Sequence, residues 1–494
     1  MHRFNVVRSP RMAAAVVTLA LTGLVLVSTS GAAPAASGLQ KVDAQVLRAV
    51  QGGASTTYWA ILRDKADLSA APGISDWNAR GWYVYNRLVG VARDSQGALR
   101  SLLKSQGVRY TSFWIINAIQ ITSGASTLAE VAARPEVASV VPNWSSHIDG
   151  SPAPKSGIQT IEWNIQRINA PQVWSTYNDR GDQIPVASID TGTQWDHPAL
   201  IKEYRGIHGT AGTVVNHNYN WWDPSHVCGN PSLAPCDNVG HGTHTMGTIV
   251  GDDYGSNQIG VAPRAYWFTA KGCESNSCSS SALLSSGQFM LAPTDLNGNN
   301  PKPDLRPVVV SNSWGDGGNN QFYRATVQSW VAAGIFPDFA NGNSGPSCRS
   351  VGSPGDYPES YGVGAFDINN IIASFSSRGP SNVDGGIKPN VSAPGVDVRS
   401  SVPNNSYATF SGTSMATPHV AGTIALIIAG APQWRGDIPN LRMFIDTTAI
   451  DMSDLTCGGS SGDNNVWGEG RLDAFGAVTK AKGMSSDLRF GRLG

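Results

Sequence analysis

Short apolar runs alternate with segments of helical periodicity from residue 161 onward. The apolar runs are strand candidates because they are short and end at Gly, Pro or polar residues. They lie at 184–189, 265–271, 307–310, 335–340 and 361–365. Helical patterns lie between and after them, at 279–291, 321–333, 414–429 and 438–445. This alternation predicts an α/β domain over 161–480, with a mostly parallel sheet covered by helices on both faces.

A smaller unit, residues 37–143, precedes that domain. It reads as strand, helix, strand, helix, strand, at 56–62, 88–106, 109–122, 128–134 and 137–141. This order predicts a small α+β domain. Residues 144–160 are rich in Gly, Ser and Pro and predict a linker, and residues 481–494 are expected to form a C-terminal tail.

The N-terminus has the composition of an export signal. Arg3, Arg8 and Arg11 precede an uncharged apolar stretch, and Ala33-Pro34-Ala35 offers a small-residue cleavage site. Residues 1–36 are therefore predicted to be a signal peptide, which makes the protein secreted and leaves no membrane attachment after its removal. An uncleaved anchor is the alternative, because about 18 apolar residues nearly span a bilayer. The many Ala, Gly, Ser and Thr residues disfavour it.

Export also predicts that the six cysteines form disulfides, because oxidising compartments favour these bonds. Nearness in sequence favours two local pairs and leaves one distant pair: Cys228–Cys236, Cys273–Cys278 and Cys348–Cys457. A metal site is the less favoured interpretation. The chain has no Cys-x-x-Cys spacing and no His beside these residues.

Three stretches rich in small residues supply an acid, a base and a nucleophile in the order Asp190, His241, Ser414. Asp190 ends a strand candidate, where parallel-sheet folds bind ligands, and a carboxylate there can orient a histidine. His241 lies between two glycines at a helix start and has the chemistry of a general base. Ser414 begins an apolar helix, beside free N–H groups. Hydrolysis by an activated serine needs these three groups in contact.

Each stretch also has an ordinary structural interpretation. Asp-Thr-Gly can be a simple turn, and Ser414 can be a helix N-cap. His241 and His244 are three residues apart and could bind zinc, although the His-Glu-x-x-His pattern is missing. His244 is more readily explained as a buried structural histidine. Asn343 follows another strand candidate on a Gly-flanked turn, where it could donate to an oxyanion or simply form an Asn-Gly turn.

Taken together, the four stretches around Asp190, His241, Asn343 and Ser414 resemble the signature blocks of the subtilisin-like serine peptidases. The resemblance covers about 161–480. Within the family, the phrases at 163–165, 197–200, 220–224 and 313–315 are most similar to the bacillopeptidase F group. The resemblance implies a subtilisin-like three-layer domain preceded by a small ferredoxin-like propeptide.

The resemblance also implies roles for individual residues. Asp190 orients His241, which acts as general base and then acid, and Ser414 attacks the peptide carbonyl. Asn343 and the Ser414 backbone N–H form the oxyanion hole. The strand that pairs with an extended substrate is matched by Ser313, Trp314 and Gly315. The walls of the main specificity pocket are matched by Ala340, Asn341, Gly342 and Gly352. Asn341 departs from the small residue of many relatives, and Ser353-Pro354 matches a cis-proline position.

Further expectations follow from the resemblance. No cofactor is required for the chemistry and no metal ligand is assigned. Structural calcium varies within the family, and no acidic loop places it here. Residues 37–143 are expected to act as an intramolecular inhibitor and folding partner, with processing within 144–160.

The chain is thus predicted to be a secreted, monomeric serine endopeptidase, made as a self-processing zymogen that cleaves proteins or peptides through an acyl-enzyme. A net charge of -1 without a Lys/Arg cluster argues against nucleic-acid binding. An aspartic peptidase needs a second Asp-Thr-Gly or Asp-Ser-Gly. An α/β-hydrolase needs Gly-x-Ser-x-Gly, and Ala416 breaks that pattern. The remaining alternative is a non-catalytic binding protein on a peptidase scaffold.

Overall fold

The computed structural model describes residues 38–148, 151–152, 160–208 and 214–484. The predicted signal peptide and most of the predicted C-terminal tail lie outside these ranges. The N-terminal unit contains four strands and three helices. In chain order these are α1 (Ala44–Ala49), β1 (Thr56–Leu62), α2 (Trp77–Ser105), β2 (Arg109–Phe113), β3 (Ala118–Ser123), α3 (Ala125–Ala133) and β4 (Val137–Pro142).

The strands of this unit form an antiparallel sheet in the order β2-β3-β1-β4, which is the ferredoxin-like βαββαβ topology. The single strand predicted over 109–122 is instead a hairpin. The chain turns between Phe113 and Ala118, and Asn117 adopts a left-handed conformation with φ of 50°. Helix α2 also begins earlier than predicted, because the Asp76 side chain caps it by accepting the Ala79 N–H at 2.7 Å.

Side chains of strand β1 pack into two different hydrophobic cores, since successive side chains of a strand point to opposite faces. Tyr58, Ala60 and Leu62 pack inside the N-terminal unit, in a cluster with Leu99 of α2. The intervening Trp59 is fully buried in a different cluster, together with residues of the following domain. The N-terminal sheet is therefore one of the layers that cover the larger domain.

The remaining elements belong to the segment that links the two units and to the larger domain. The strands are β5 (Ser145–His147), β6 (Ser151–Pro152), β7 (Pro185–Asp190), β8 (Trp221–Trp222), β9 (Tyr266–Lys271), β10 (Ser277–Ser279), β11 (Val309–Asn312), β12 (Phe336–Ala340), β13 (Tyr361–Phe366), β14 (Val391–Pro394), β15 (Val398–Val402) and β16 (Ser406–Ser411). The helices are α4 (Trp163–Arg167), α5 (Ala170–Tyr177), α6 (His241–Val250), α7 (Ser280–Leu291), α8 (Arg324–Ala332), α9 (Thr413–Gly430), α10 (Ile438–Asp446) and α11 (Ala474–Gly483).

Seven parallel strands form the central sheet, in the order β14-β13-β12-β11-β7-β9-β8. Adjacent residues of β7 show the two-sided burial, since Val186 packs in the core with α6 and α9 and Ala187 in the core with α7 and α8. Both faces of the sheet are therefore covered, and the predicted three-layer α/β fold is confirmed. Helix α9 is long and apolar enough to span a membrane, but it is mostly buried inside this domain.

Helix α2 of the N-terminal unit also contacts the larger domain, through Arg80 at the C-terminal end of α8. Arg80 is 9% exposed, and its guanidinium donates to the carbonyls of Ala332 at 2.6 Å, Val331 at 3.0 Å and Gly436 at 2.9 Å. A cation beside the free carbonyls of a helix C-terminus is stabilising. The neighbouring Trp77 ring has two arginines of the larger domain within 4.2 Å of its centroid.

Two features predicted from the sequence reappear in the larger domain. The disulfides Cys228–Cys236, Cys273–Cys278 and Cys348–Cys457 confirm the predicted pairing. The Ser353–Pro354 peptide bond is cis, as expected.

The segment 144–160 differs from the predicted linker, since its described residues include the two short strands β5 and β6. Strand β5 pairs with β10, and β6 pairs with β16. Backbone pairing with β10 and β16 holds these described residues in place, a tertiary effect that the local composition does not reveal.

Candidate active site

Asp190 and His241 form a buried pair at the carboxyl end of the central sheet. Asp190 is the last residue of β7, and its Oδ1 accepts the His241 Nδ1–H at 2.8 Å and the Thr191 N–H at 2.7 Å. The second oxygen, Oδ2, accepts the Thr245 hydroxyl at 3.2 Å. This leaves His241 Nε2 as the basic nitrogen, and it has no hydrogen-bond partner among the described residues.

Helix α6 brings His241 to the carboxylate because Gly242 lets it come very close. A Cβ atom on Gly242 would lie 2.0 Å from the carbonyl oxygen of Gly192 and 3.1 Å from Asp190 Cβ. No larger residue fits at position 242 unless the backbone at Gly192 or at Gly242 moves. The small residues around His241 are therefore a packing requirement of the pair.

Ser414 lies in the first turn of α9, and Ser313 holds it through two hydrogen bonds. The Ser414 Oγ–H donates to the Ser313 carbonyl at 3.2 Å, and the Ser313 Oγ–H donates to the Ser414 carbonyl at 2.9 Å. The second bond has a clear cause. Pro418, four residues on, has no N–H to satisfy that carbonyl within the helix. Ser313 therefore replaces the missing helix bond and fixes the backbone of Ser414.

Asn343 is oriented by the residue before Ser414. The Thr413 N–H and hydroxyl donate to Asn343 Oδ1 at 2.8 and 2.9 Å. Because both contacts engage the carbonyl oxygen, the Nδ2 group is on the other side of the amide. Asn343 and Ser414 line the same cleft.

The same cleft collects most of the predicted substrate-binding residues. Its lining includes Ser313, Trp314, Gly315, Ala340, Gly342 and Gly352. Trp314 is only 1% exposed, and its indole packs against Tyr323 and Phe339, so backbone is what it offers to the cleft. Asn341 is not part of the lining. Its side chain is fully buried, and its Nδ2 donates to the Ser377 carbonyl at 2.7 Å.

Residues 181–490 of the chain match the subtilase family of peptidases, Peptidase S8. This chain belongs to the subtilase family. Bacillopeptidase F of Bacillus subtilis (strain 168) is 40% identical over 386 residues, which are 74% of this chain and 26% of that protein. Subtilisin E of the same strain is 32% identical over 324 residues, 65% of this chain and 73% of that protein. The predicted resemblance to subtilisin-like serine peptidases is thereby confirmed at the level of the family.

Asp237 is a site residue of this subtilase that the sequence reasoning missed. Its Oδ1 accepts the Thr191 hydroxyl at 2.9 Å and the Gly240 N–H at 2.7 Å, and its Oδ2 accepts the Thr243 hydroxyl at 2.7 Å. One carboxylate thus ties the loop after Asp190 to the start of α6. An Asp shortly before a helix start is a capping signal, which could have drawn attention to it.

Lys271 is a second missed residue, buried beside the acidic end of β7. It ends β9 opposite Asp190, and its ammonium donates to the Thr191 carbonyl and to Asn238 Oδ1. Burial lowers its pKa, and nearby carboxylates, Asp237 first among them, act in the opposite direction. Its contacts brace the turn that follows the Asp190 carboxylate.

His244 has the structural role that the sequence favoured. It is fully buried, and its Nε2 lies 3.0 Å from the Val398 carbonyl. Burial, with a smaller effect from the charge of His241, lowers its pKa to about 3, so its ring stays neutral. Among the described residues, no group of three or more His, Cys, Asp or Glu side chains is arranged to hold a metal ion.

Proposed function

We propose that this subtilase is a secreted serine endopeptidase, made as a precursor that processes itself. The observation that supports this function best is the buried Asp190–His241 hydrogen bond, which leaves Nε2 of His241 as the basic nitrogen. Ser414 and Asn343, the proposed nucleophile and oxyanion donor, line one cleft. The alternative is a non-catalytic binding protein on the same scaffold.

The proposed reaction follows from these groups. Ser414 Oγ attacks the peptide carbonyl as His241 Nε2 takes its proton, and Asp190 stabilises the imidazolium that forms. The proton then passes to the leaving amine, which departs and leaves an acyl-enzyme on Ser414. Water, activated by the same histidine, hydrolyses the ester. Subtilases need no cofactor for this chemistry, and structural calcium remains without a proposed position.

Extended protein and peptide chains are the proposed substrates. The strand edge at Gly315 is able to pair with an extended chain. His147 shows this, since it pairs with Gly315 through two backbone hydrogen bonds. Backbone pairing of this kind binds many sequences, while the pocket walls select among side chains.

A serine-directed fluorophosphonate tests the proposal against the binding-protein alternative. We expect the mature protein to be labelled once, on the peptide that contains Ser414, and to lose its activity on casein in proportion. The binding-protein alternative predicts no labelling above that of heat-denatured protein, and that outcome would contradict the proposed function.

Replacing Asn343 with alanine is expected to lower kcat by about 10²–10³-fold with little change in KM, because an oxyanion donor acts in the transition state. The variant also removes the acceptor of the Thr413 N–H, and we expect water in the cleft to accept that hydrogen bond instead. Steady-state kinetics on a chromogenic peptide measures the effect. Asn369→Ala, at an exposed turn, is the control. A loss confined to KM would remove Asn343 from the oxyanion hole.

Residues 37–143 are proposed to inhibit the peptidase domain. The Arg80→Ala variant tests whether Arg80 contributes to their binding to that domain. Losing three hydrogen bonds to carbonyls should weaken inhibition by the separate segment, added in trans, by roughly 30-fold to 10³-fold, equivalent to about 2–4 kcal/mol. Inhibition constants against mature protease measure the effect. Arg93→Ala is a matched control, because Arg93 lies on the same helix and is 75% exposed. Equal inhibition by the two variants would exclude Arg80 as an anchor.

A further inference from the structure

The cleft beside Ser414 is a pocket whose walls are mostly backbone and small side chains. Its lining comes from residues 313–317, from the stretch between Ala340 and Ser344, and from Ser350 and Gly352. Gly, Ala and Ser predominate there, so the walls leave space for a side chain of the substrate. Because Ser414 and Asn343 line the same pocket, we expect that side chain to belong to the residue whose carbonyl group is attacked.

Asp316 is the one charged side chain that the described part of the larger domain contributes to this lining. The domain's other lining residues are Gly, Ala, Ser, Thr, Trp and Asn, none of which ionises near neutral pH. His147 also lines the pocket, but it belongs to the segment that follows the N-terminal unit. The pocket of the larger domain itself therefore carries a negative charge.

Backbone pairing fixes the position of Asp316 at one side of the pocket. The Asp316 N–H donates to the Ser353 carbonyl at 2.9 Å, and the Ser353 N–H donates to the Asp316 carbonyl at 3.1 Å. Gly352 packs directly against this pair, because a Cβ atom there would lie 2.6 Å from the Asp316 carbonyl oxygen. Two walls of the pocket thus meet at Asp316.

The Asp316 carboxylate has capacity for a further partner. Its Oδ1 accepts the Gly317 N–H at 2.7 Å, and its Oδ2 lies 3.4 Å from Asn320 Nδ2, which is a long hydrogen bond. An ionised carboxylate has about four acceptor positions. Asp316 is exposed, and none of the ion pairs between described residues includes it. Its charge is therefore available to a bound substrate.

We infer that Asp316 makes this pocket select lysine or arginine at the residue whose carbonyl carbon is attacked. This inference rests on the proposed function. An ammonium or guanidinium group forms charge-assisted hydrogen bonds with a carboxylate. The apolar stems of both side chains can pack along the backbone walls while the charged ends reach the exposed Asp316. A glutamate in the same pocket meets a like charge and is rejected.

Peptide p-nitroanilides that differ only in the residue before the cleaved bond test this selectivity. We expect the mature protein to hydrolyse lysine and arginine substrates with a kcat/KM roughly tenfold above that of a methionine substrate, and glutamate most slowly. This is the lower end for a hydrogen bond to a charged group, because Asp316 is exposed. Cleavage sites in casein, identified by mass spectrometry, should likewise be enriched in lysine and arginine.

The outcomes separate this inference from the proposed function. An active enzyme that favours methionine over lysine, or whose casein sites show no enrichment in basic residues, overturns the inference and leaves the proposed function intact. A protein that cuts neither casein nor the peptides, and that a fluorophosphonate does not label, contradicts the proposed function itself.

Asp316→Asn assigns the preference to the carboxylate. The amide has the same shape, and its oxygen can still accept the Gly317 N–H, so fluorophosphonate labelling should show a folded site. We expect the ratio of kcat/KM for lysine over methionine to fall about tenfold. Asp384→Asn is the matched control, because that carboxylate caps the Gly386 N–H at 2.9 Å on an exposed turn outside the pocket. An unchanged ratio in Asp316→Asn overturns the inference.

Ionic strength gives a readout that a merely structural role of Asp316 would not move. Salt screens an exposed charge pair, so the wild-type preference for lysine over methionine should shrink between about 0.05 M and about 1 M NaCl. The ratio of Asp316→Asn should not depend on salt. Asp316→Lys should reverse the order, so that glutamate exceeds lysine, and it decides the matter if the asparagine variant is unstable. A preference for lysine that persists in Asp316→Lys overturns the inference.

Discussion

Replacing Ser414 with alanine is expected to lower kcat by about 10⁶-fold, the order of loss found when the triad serine of such an enzyme is removed. Among the described residues, Ser414 is the one whose hydroxyl both donates to the Ser313 carbonyl and lines the cleft. The variant should also accumulate as uncleaved precursor. Hydrolysis of a chromogenic peptide and gel analysis of the expressed chain measure the two effects.

The same variant should fold normally. It loses one hydrogen bond, from Ser414 Oγ to the Ser313 carbonyl, which is worth about 1 kcal/mol. The reverse bond, from Ser313 to the Ser414 carbonyl, does not involve the removed hydroxyl. Ser175→Ala, at an exposed position of α5, is a control for the loss of a serine and should retain full activity. Processing of Ser414→Ala at the wild-type rate would show that another nucleophile, or another protease, cuts the precursor.

The central sheet was predictable because its strands are short apolar runs buried on both faces. Such runs have a simple cause, since helices cover both faces of a parallel sheet. The positions of Asp190 and His241 were predictable for a related reason. A helix can approach a strand end as closely as α6 does only if its first turn holds a residue like Gly242, so the packing requirement is visible in the motif.

The hairpin between β2 and β3 was not predictable from local pattern. Its turn is apolar, and Ile115 and Ile116 are 1% and 5% exposed. The reason is tertiary, because the turn packs on the larger domain, where Gln288 of α7 accepts the Trp114 N–H at 2.7 Å. Asn117 is the one local turn signal, whereas a solvent-exposed turn would have shown Gly, Pro or polar residues in place of the apolar run before it.

Asn341 and Asp237 show the same limit at the site. Asn341 stands between two residues that line the cleft, yet its amide turns to the Ser377 carbonyl, 36 residues further along the chain. Asp237 joins two motifs through Thr191 and Thr243, and only the folded chain brings those hydroxyls to one carboxylate. Sequence identifies residues that carry chemistry, whereas the direction of a neighbouring side chain depends on distant partners.

Replacing Asp190 with asparagine is expected to lower kcat by about 10⁴-fold. The asparagine fits the same space and can adopt two orientations. With its oxygen toward His241 and Thr191, it keeps the histidine tautomer but no longer supplies the charge that stabilises the imidazolium. With its NH₂ toward His241, it donates to Nδ1 and forces the proton onto Nε2, which then cannot accept the proton of Ser414. Steady-state kinetics and the rate of fluorophosphonate labelling should fall together.

Asp182→Asn is the matched control, because Asp182 forms an exposed ion pair with Arg264 and should retain wild-type rates. A loss of less than tenfold for Asp190→Asn would remove Asp190 from the catalytic machinery. The double variant Asp190→Asn with Ser414→Ala sharpens the test. Because the members of a triad act as a unit, its residual rate should equal that of Ser414→Ala alone. A further drop would mean that Asp190 contributes through the fold and not through His241.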